Sequence, residues 1–322
     1  MQSLMTYQIA SALIPFFFSM GAGFFAGKVN PGRMPLSSIN TMLVDYALPF
    51  ALFLYTARIK PADLASHATL IAVLAVVMLA PYLISLALSR LWFRVNLGHA
   101  AVRSVTIGMP NFAAVGLPLL HAVYGDDSRL TVALAITTAS VVMSPAALIL
   151  LERSRSHTTN TTNSTETRSG LLYTALQNTF LKPVVLAPIA GVAFAVLGWR
   201  LPDLATQSLN IVGSTTAGLA LFSTGLILAA QPFRLDVEVW VGVALSNVLQ
   251  PLLALILVTI LGLKREIAGQ AILLSAIPCG SFGILFGLPY GVTDATAGTT
   301  LVASSILSAA TLSITIILIG GH

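Results

Sequence analysis

The sequence contains few charged residues. Only 8% of its 322 residues are Asp, Glu, Lys or Arg, whereas soluble domains carry roughly 25%. Hydrophobic residues make up 56% of the chain, and the mean hydropathy is +0.90. A soluble domain of this size cannot bury so much apolar surface, so the composition excludes a water-soluble globular protein.

Basic clusters and repeated cysteines are also missing. The 16 Lys and Arg residues are scattered between apolar runs, and they form no basic stripe of the kind that binds nucleic acid. The single cysteine, Cys279, excludes an internal disulfide framework and a thiolate metal cluster. We therefore predict no nucleic-acid partner and no bound metal.

Motifs of membrane-embedded enzymes and of ATP-driven pumps are absent as well. The sequence has no HExxH pair, no paired aspartates within apolar runs, no GxSxG elbow and no P-loop. The sequence thus predicts neither an enzyme nor a cofactor-binding protein.

Long apolar runs are abundant. A transmembrane helix needs about 20 mostly apolar residues, and ten windows meet that requirement: 5–26, 36–56, 69–93, 102–124, 130–151, 182–199, 204–230, 237–261, 267–290 and 295–320. Between the fifth and sixth windows, residues 153–170 are rich in Ser, Thr, Asn and Arg, which predicts a flexible loop. We therefore expect a five-helix unit at 1–151, a polar cytoplasmic loop and connector at 152–181, and a second five-helix unit at 182–322.

The two halves resemble each other. Four pairs of identical residues recur at a shift of 170 or 168 positions: Asn40 and Asn210, Pro81 and Pro251, Pro110 and Pro278, Asp126 and Asp294. Because each unit contains an odd number of spans, the second unit enters the membrane from the opposite side, as in many secondary transporters. The predicted fold class is an all-α integral membrane protein, with ten transmembrane helices in two inverted five-helix repeats.

The distribution of basic residues predicts the orientation in the membrane. Loops on one face hold ten Lys and Arg residues and loops on the other hold six. The positive-inside rule then places both termini outside the cytoplasm.

Two of the predicted spans carry a proline and a glycine near their centres. The segment 107–112 contains Pro110 and the segment 276–282 contains Pro278. Proline breaks a helix, and the freed backbone groups must be satisfied within the protein or by water. If the spans cross at these prolines, half-helices that begin at Asn111 and Cys279 direct positive amino ends at an anion. Ordinary proline kinks remain the alternative.

The predicted substrate site comprises the residues of the two breaks and two serines of neighbouring spans: Asn111, Pro110, Pro278, Cys279, Gly280, Ser281, Ser140 and Ser305.

Two charged side chains in or near the spans each have more than one candidate role. Asp45 is the one acidic residue placed well inside a window, and an intramembrane carboxylate is costly. It is a candidate for carrying a coupling proton; a hydrogen bond to a neighbouring span or a place at a dimer contact is the alternative. Arg103 either attracts anions into a cytoplasmic vestibule or extends to the lipid headgroups.

Three segments resemble the auxin efflux carrier family, which includes the plant PIN-FORMED carriers and bacterial carriers labelled malonate transporters. They are GMPNFAAVGLPLL at 108–120, INTMLVDYALP at 39–49 and AGLALFSTG at 217–225. The resemblance covers essentially the whole chain. It implies a crossover of helices 4 and 9, as in NhaA and the bile-acid transporters, a scaffold of helices 1, 2, 6 and 7, a transport domain of helices 3–5 and 8–10, and a homodimer.

The resemblance also implies that Asn111 contacts a substrate carboxylate near the crossover. The short central loop and Cys279 depart from the plant pattern, so auxin is not the expected substrate. We predict a secondary carrier of a small carboxylate, such as malonate, in a bacterial inner membrane, with an elevator-like mechanism and a proton as one candidate coupling ion. The alternatives are a sodium-coupled organic-anion symporter of the bile-acid type, and a channel or sensor on the same scaffold.

Overall fold

The computed structural model describes residues 2–29, 35–125, 128–159, 181–230 and 233–320, and these parts contain helices but no strand. In chain order the helices are α1 (Gln2–Val29), α2 (Leu36–Ala57), α3 (Pro61–Ser66), α4 (Ala68–Trp92), α5 (Leu97–Gly108), α6 (Phe112–Tyr124), α7 (128–159), α8 (Pro183–Val196), α9 (Asp203–Ala230), α10 (Val237–Ile260), α11 (Arg265–Ala276), α12 (Phe282–Gly287, extended by a 3₁₀ turn at Leu288–Tyr290) and α13 (Ala295–Gly320).

Six of these helices are long and apolar enough to cross a membrane, namely α2, α4, α7, α9, α10 and α13. Shorter apolar helices run over Ile14–Val29, Phe112–Tyr124 and Pro183–Val196. Large apolar side chains such as Phe18, Leu91 and Ile317 lie exposed on the outer surface, where lipid is the solvent that accepts them. The prediction of an all-α integral membrane protein is confirmed.

The polar central loop begins later than the sequence predicts. Helix α7 continues through residues 153–159, so the expectation of a flexible loop from Arg153 onward is wrong for its first seven residues. The remainder of the predicted loop, and Asp126 of the repeat pattern, lie outside the described residues.

Five of the described helices contain a wide π turn, and in all but the turn at Leu88–Trp92 of α4 a proline follows two residues after the turn ends. The turns with a following proline are Met42–Ala47, Phe112–Gly116, Ala139–Met143 and Leu245–Leu249, and the prolines are Pro49, Pro118, Pro145 and Pro251. A proline ring clashes with the carbonyl four residues earlier, and a π turn is one recognised way for a helix to absorb such a disturbance. Asp45 and Ser140 both lie in these widened turns.

Two helix pairs pack at very short range. Where α1 meets α9, a Cβ atom on Gly23 would overlap the carbonyl of Phe222, and one on Gly225 would overlap the carbonyl of Met20. Where α8 meets α2, a Cβ on Gly191 would overlap the hydroxyl of Thr56. Small residues permit such close backbone approach between helices in membranes. Glycine at these positions therefore allows the two helix pairs to pack this closely.

A partly buried cluster of charges joins the ends of α5, α10 and α13. Asp294 accepts hydrogen bonds from His99 Nδ1 at 2.8 Å and Arg103 Nε at 3.0 Å, and it caps α13 through the backbone N–H of Ala297 at 2.7 Å. Arg103 also pairs with Glu238. The guanidinium of Arg103 is thus held by two carboxylates of this chain, and the two roles suggested for it from the sequence stay predictions.

The carboxyl of Asp294 is more acidic than usual. Burial by itself opposes ionisation, but the hydrogen bond from His99 and the charge of Arg103 outweigh it and lower the pKa of Asp294. A carboxyl whose pKa is depressed in the folded state stabilises the protein above its ordinary pKa of about 4, and that stabilisation is lost as the pH falls through the depressed value.

We expect Asp294→Asn to lower the free energy of unfolding at pH 7 by about 3 kcal/mol, because it leaves buried positive charge less compensated. Thermal unfolding in detergent from pH 3 to 8 measures this effect, and the difference from the wild type should shrink below about pH 4. Asp203→Asn is the control, since Asp203 is exposed. Equal melting temperatures for the wild type and Asp294→Asn at pH 7 would contradict this account of the cluster.

Candidate functional site

Two interrupted helices meet inside the molecule. Helix α5 ends at Gly108 and α11 ends at Ala276, and an extended segment follows each of them. The backbone N–H of Asn111 donates to the carbonyl of Pro278 at 3.1 Å, which pairs Pro110 with Cys279 as in a single antiparallel bridge. The N–H of Gly280 donates to the carbonyl of Thr106 at 3.2 Å. Each break thus satisfies backbone groups that the other exposes.

The contact between the breaks requires glycine on the second segment. A Cβ atom at Gly280 would overlap the carbonyl oxygen of Met109, and one at Gly283 would overlap the carbonyl of Val102. These overlaps involve backbone atoms, which cannot rotate away. Glycine at both positions therefore brings the two broken helices together.

Asn111 caps the helix that follows the first break. Its side-chain oxygen accepts a hydrogen bond from the N–H of Ala114 at 3.2 Å, which is the usual interaction of an N-cap asparagine. The prediction that a half-helix starts at Asn111 is confirmed. The corresponding prediction for Cys279 is wrong, because α12 begins at Phe282, three residues later.

Polar side chains of α10 and α13 support the breaks from behind. Gln250 Nε2 donates to the carbonyl of Gly108 at 3.1 Å, and the N–H of Cys279 donates to Ser304 Oγ at 3.1 Å. Ser304 Oγ in turn donates to Asn247 Oδ1 at 2.6 Å, and Ser246 Oγ donates to the same oxygen at 2.7 Å. All these side chains are buried. They form hydrogen bonds with backbone groups that the two breaks leave without helical partners.

Sequence reasoning missed most of this support. The sequence indicates Ser304 only weakly, as one of several serines near the breaks. It gives no sign of a role for Gln250, Asn247 and Ser246 beyond their being polar residues in an apolar run. Their equivalents in the first half, at the shift of 170 residues, are Ala80, Val77 and Val76. These three first-half positions therefore carry no polar side chain that could give the same support.

We expect Gln250→Leu to lower the free energy of unfolding by about 1–3 kcal/mol, because the carbonyls of Ile107 and Gly108 lose a buried donor. Thermal unfolding of the purified variant measures the loss. Thr259→Val on the same helix is the control, since the Thr259 hydroxyl bonds the backbone of its own helix and faces outward. A melting temperature equal to that of the wild type would show that Gln250 does not hold the break in place.

A cavity of about 70 Å³ lies beside the first break and the start of α12. Its walls come from α2, α6, α7, α9 and α12 and from the first break, with Pro110, Ser140 and Thr216 among its lining residues. The hydroxyl of Thr216 is buried and has no hydrogen-bond partner among the described residues. The cavity therefore combines an apolar wall with an unpaired hydroxyl, and apolar walls with a few polar groups are common in small-molecule sites.

The predicted site residues are only partly brought together. Pro110 and Ser140 line the cavity, but the hydroxyl of Ser140 donates to the carbonyl of Ile136 in its own helix at 2.6 Å. Asn111 is buried beside the cavity, between Pro110 and the lining residue Phe112. Pro278, Cys279, Gly280 and Ser281 are all buried in the second break and do not line this cavity. Ser305 is directed elsewhere, because its hydroxyl donates to the carbonyl of Leu301 in its own helix at 2.7 Å.

Asp45 lies at a second cavity, of about 230 Å³, where α2 and α8 begin. Its other lining residues include Asn40, Lys182 and Tyr290. Phe286 of α12 lies on the walls of both cavities. The structure thus separates Asp45 from Asn111 but places it at a neighbouring space.

Comparison with known proteins gives similarity over nearly the whole chain. A family model described as "Membrane transport protein" matches residues 8–316. The "Uncharacterized transporter YfdV" of Escherichia coli (strain K12) is 26% identical over 298 residues, which cover 92% of each chain. The "Probable auxin efflux carrier component 5c" of Oryza sativa subsp. japonica is 25% identical over 94% of each chain. The "Putative malonate transporter" of Rhizobium meliloti (strain 1021) is 24% identical over 95% of this chain and 94% of its own length.

Proposed function

Because this chain belongs to the membrane transport protein family, which includes the auxin efflux carriers, we propose that it carries a small organic carboxylate across the membrane. It is an integral membrane transporter and not an enzyme. Malonate is the first candidate substrate, since a relative bears that substrate in its name.

The meeting of the two broken helices beside a cavity is the observation that carries this proposal. Helix α6 directs its amino end, capped by Asn111, toward the break, and the partial positive charge at a helix amino end favours anions. A carboxylate bound there needs no intramembrane arginine to balance it. The buried hydroxyl of Thr216, which has no hydrogen-bond partner among the described residues, supplies a further donor at the cavity wall.

The proposed mechanism is an elevator-like movement of one half of the molecule past the other. In this proposal the ten predicted spans form two inverted repeats; α1, α2, α8 and α9 are the scaffold, and α4–α7 with α10–α13 carry the site. The tight pairs α1 with α9 and α2 with α8 support this division. These helices are spans 1, 7, 2 and 6, and an inverted repeat relates span 1 to span 6 and span 2 to span 7. The repeat therefore relates one tight pair to the other. The cavity at the breaks lies between the two proposed parts.

We place the protein in a bacterial inner membrane as a homodimer with both termini outside. Asp45 is the candidate carrier of a coupling proton, since it is a carboxyl at a cavity next to the site.

A sodium-coupled symporter is the second candidate function. Gln250 Oε1 is buried close to the break and has no hydrogen-bond partner among the described residues, and an unpaired amide oxygen is a suitable ligand for a hard cation.

Uptake by proteoliposomes tests the proposal. Purified protein is reconstituted, and the initial uptake of radiolabelled malonate, succinate and indole-3-acetate is measured with a proton gradient, a sodium gradient or no gradient. We expect saturable uptake of malonate or succinate that a proton gradient accelerates. Acceleration by sodium alone would favour the second candidate, and uptake of no carboxylate under any gradient would refute both.

A further inference from the structure

The second cavity has features of an anion-binding site that the proposed transport site lacks. At about 230 Å³ it is larger than the 70 Å³ cavity at the breaks, and it stays within the size expected for a ligand of few atoms. Its wall carries the hydroxyls of Ser37 and Thr41, the amide of Asn40 and the ammonium of Lys182. We call it the Lys182 cavity.

Lys182 is held in place at this wall. It is the last residue before α8, in an extended conformation, and Pro183 follows it with a fixed φ angle. Its Nζ atom lies 4.6 Å from the centre of the Tyr290 ring, which is a cation–π contact. The side chain is half-buried and its ammonium stands at the cavity wall.

Partial burial strengthens the interaction that the ammonium of Lys182 can make with an anion, whereas neighbouring carboxylates oppose it. Burial lowers the pKa of Lys182, and the charges of Glu152 and Asp45 oppose that shift. A partly desolvated ammonium forms a stronger charge-assisted bond than one in water. Asp45 shares the cavity wall and weakens the attraction for an anion there.

Asn40 gives a second, independent indication of a ligand. Its side chain is only 3% exposed, it lines the Lys182 cavity, and its amide Oδ1 position has no hydrogen-bond partner among the described residues. Because the O and N atoms of an amide can exchange places by rotation, this position can present a donor to an anion. A buried amide without a partner is costly unless a ligand or water completes it.

We propose that the Lys182 cavity is a docking subsite for carboxylates, where the ammonium of Lys182 and the amide of Asn40 bind the anion before it reaches the breaks. This inference rests on the proposed function. Phe286, which lines both cavities, separates the docked anion from the site beside Asn111. The subsite supplies the positive side chain that the site at the breaks does not have.

Neutralising the two charges of the cavity should change carboxylate affinity in opposite directions. Binding is measured in detergent by the thermal stabilisation that acetate, malonate, succinate and citrate each produce. For a carboxylate that stabilises the wild type, Lys182→Met should weaken binding about tenfold to 100-fold, the value of a charged hydrogen bond. Asp45→Asn should tighten binding, because it removes a repelling charge, and Lys182→Arg should preserve it.

Lys60→Met is the matched control. Lys60 also precedes a proline at a helix start, with nearly the same backbone angles as Lys182, but it is exposed. We expect Lys60→Met to bind like the wild type. If Lys182→Met is unfolded without ligand, Lys182→Gln replaces it, and folding is checked by the size-exclusion profile.

The outcomes separate this inference from the proposed function. Loss of binding in Asn111→Ser together with normal binding in Lys182→Met and Lys182→Gln would retain the carboxylate carrier and overturn the docking subsite. Equal weakening by Lys60→Met would also overturn it, since the effect would then be one of overall charge. If no carboxylate stabilises the wild type, both the subsite and the carboxylate assignment fall.

Discussion

Replacing Asn111 by alanine is expected to lower the initial rate of carboxylate uptake by roughly 10- to 100-fold. In the proposed site the amide of Asn111 donates to the substrate carboxylate, and a hydrogen bond to a charged group contributes about 1.5–3 kcal/mol. The variant also loses the helix cap on α6, at a cost of about 1 kcal/mol in stability. Uptake and thermal unfolding of the same preparation measure the two effects separately.

Two further substitutions at this position separate capping from substrate binding. Serine and aspartate are good N-cap residues, so Asn111→Ser and Asn111→Asp should melt within a few degrees of the wild type. Aspartate cannot donate and repels an anion, and uptake by Asn111→Asp should therefore fall at least as far as in Asn111→Ala. Wild-type uptake by Asn111→Asp would rule out a carboxylate at this position.

Gly280→Ala should abolish uptake and destabilise the protein. The added methyl group would overlap the carbonyl oxygen of Met109, so the two breaks would have to separate. That separation would strain the hydrogen bonds that Gly280 and Asn111 donate across the junction. Overpacking a tight contact costs about 1–3 kcal/mol or more, and the site would lose its geometry as well.

Gly218→Ala is the matched control for this change. Gly218 lies within α9, and a Cβ atom there would have open space around it. Alanine is favoured over glycine in a helix by about 1 kcal/mol, so this variant should be as stable as the wild type or more so. A melting temperature of Gly280→Ala equal to that of Gly218→Ala would show that the breaks do not require close contact.

The sequence predicts the helices well where apolarity and charge define them. The windows 237–261 and 295–320 coincide with α10 and α13 to within one residue, since charged or proline-containing segments end the apolar runs there.

The π turns could not be predicted from the sequence in the same way. Pro49 and Pro251 follow such turns, whereas Pro15 and Pro188 lie in regular α-helix, so the response to a proline depends on packing that the local sequence does not contain.

The candidate site could likewise be predicted only where the local sequence determines it. Pro110 and Pro278 reveal the breaks because proline lacks an amide donor, and that effect is local. The start of α12 at Phe282, rather than Cys279, depends on the pairing of the two extended segments. The bond from Gln250 to Gly108 joins residues 142 positions apart, and Arg103 and its partner Asp294 are 191 positions apart. Such contacts become visible only once the helices are packed.

The most direct test of the central claim is a counterflow experiment. Proteoliposomes loaded with unlabelled malonate or succinate are diluted into buffer that contains a trace of the labelled compound, without any ion gradient. A carrier with one alternating site should accumulate label transiently above equilibrium in the wild type, and Asn111→Asp should not. Label that only equilibrates in the wild type, at the same rate with and without internal carboxylate, would contradict a carboxylate carrier that works through the site at the two broken helices.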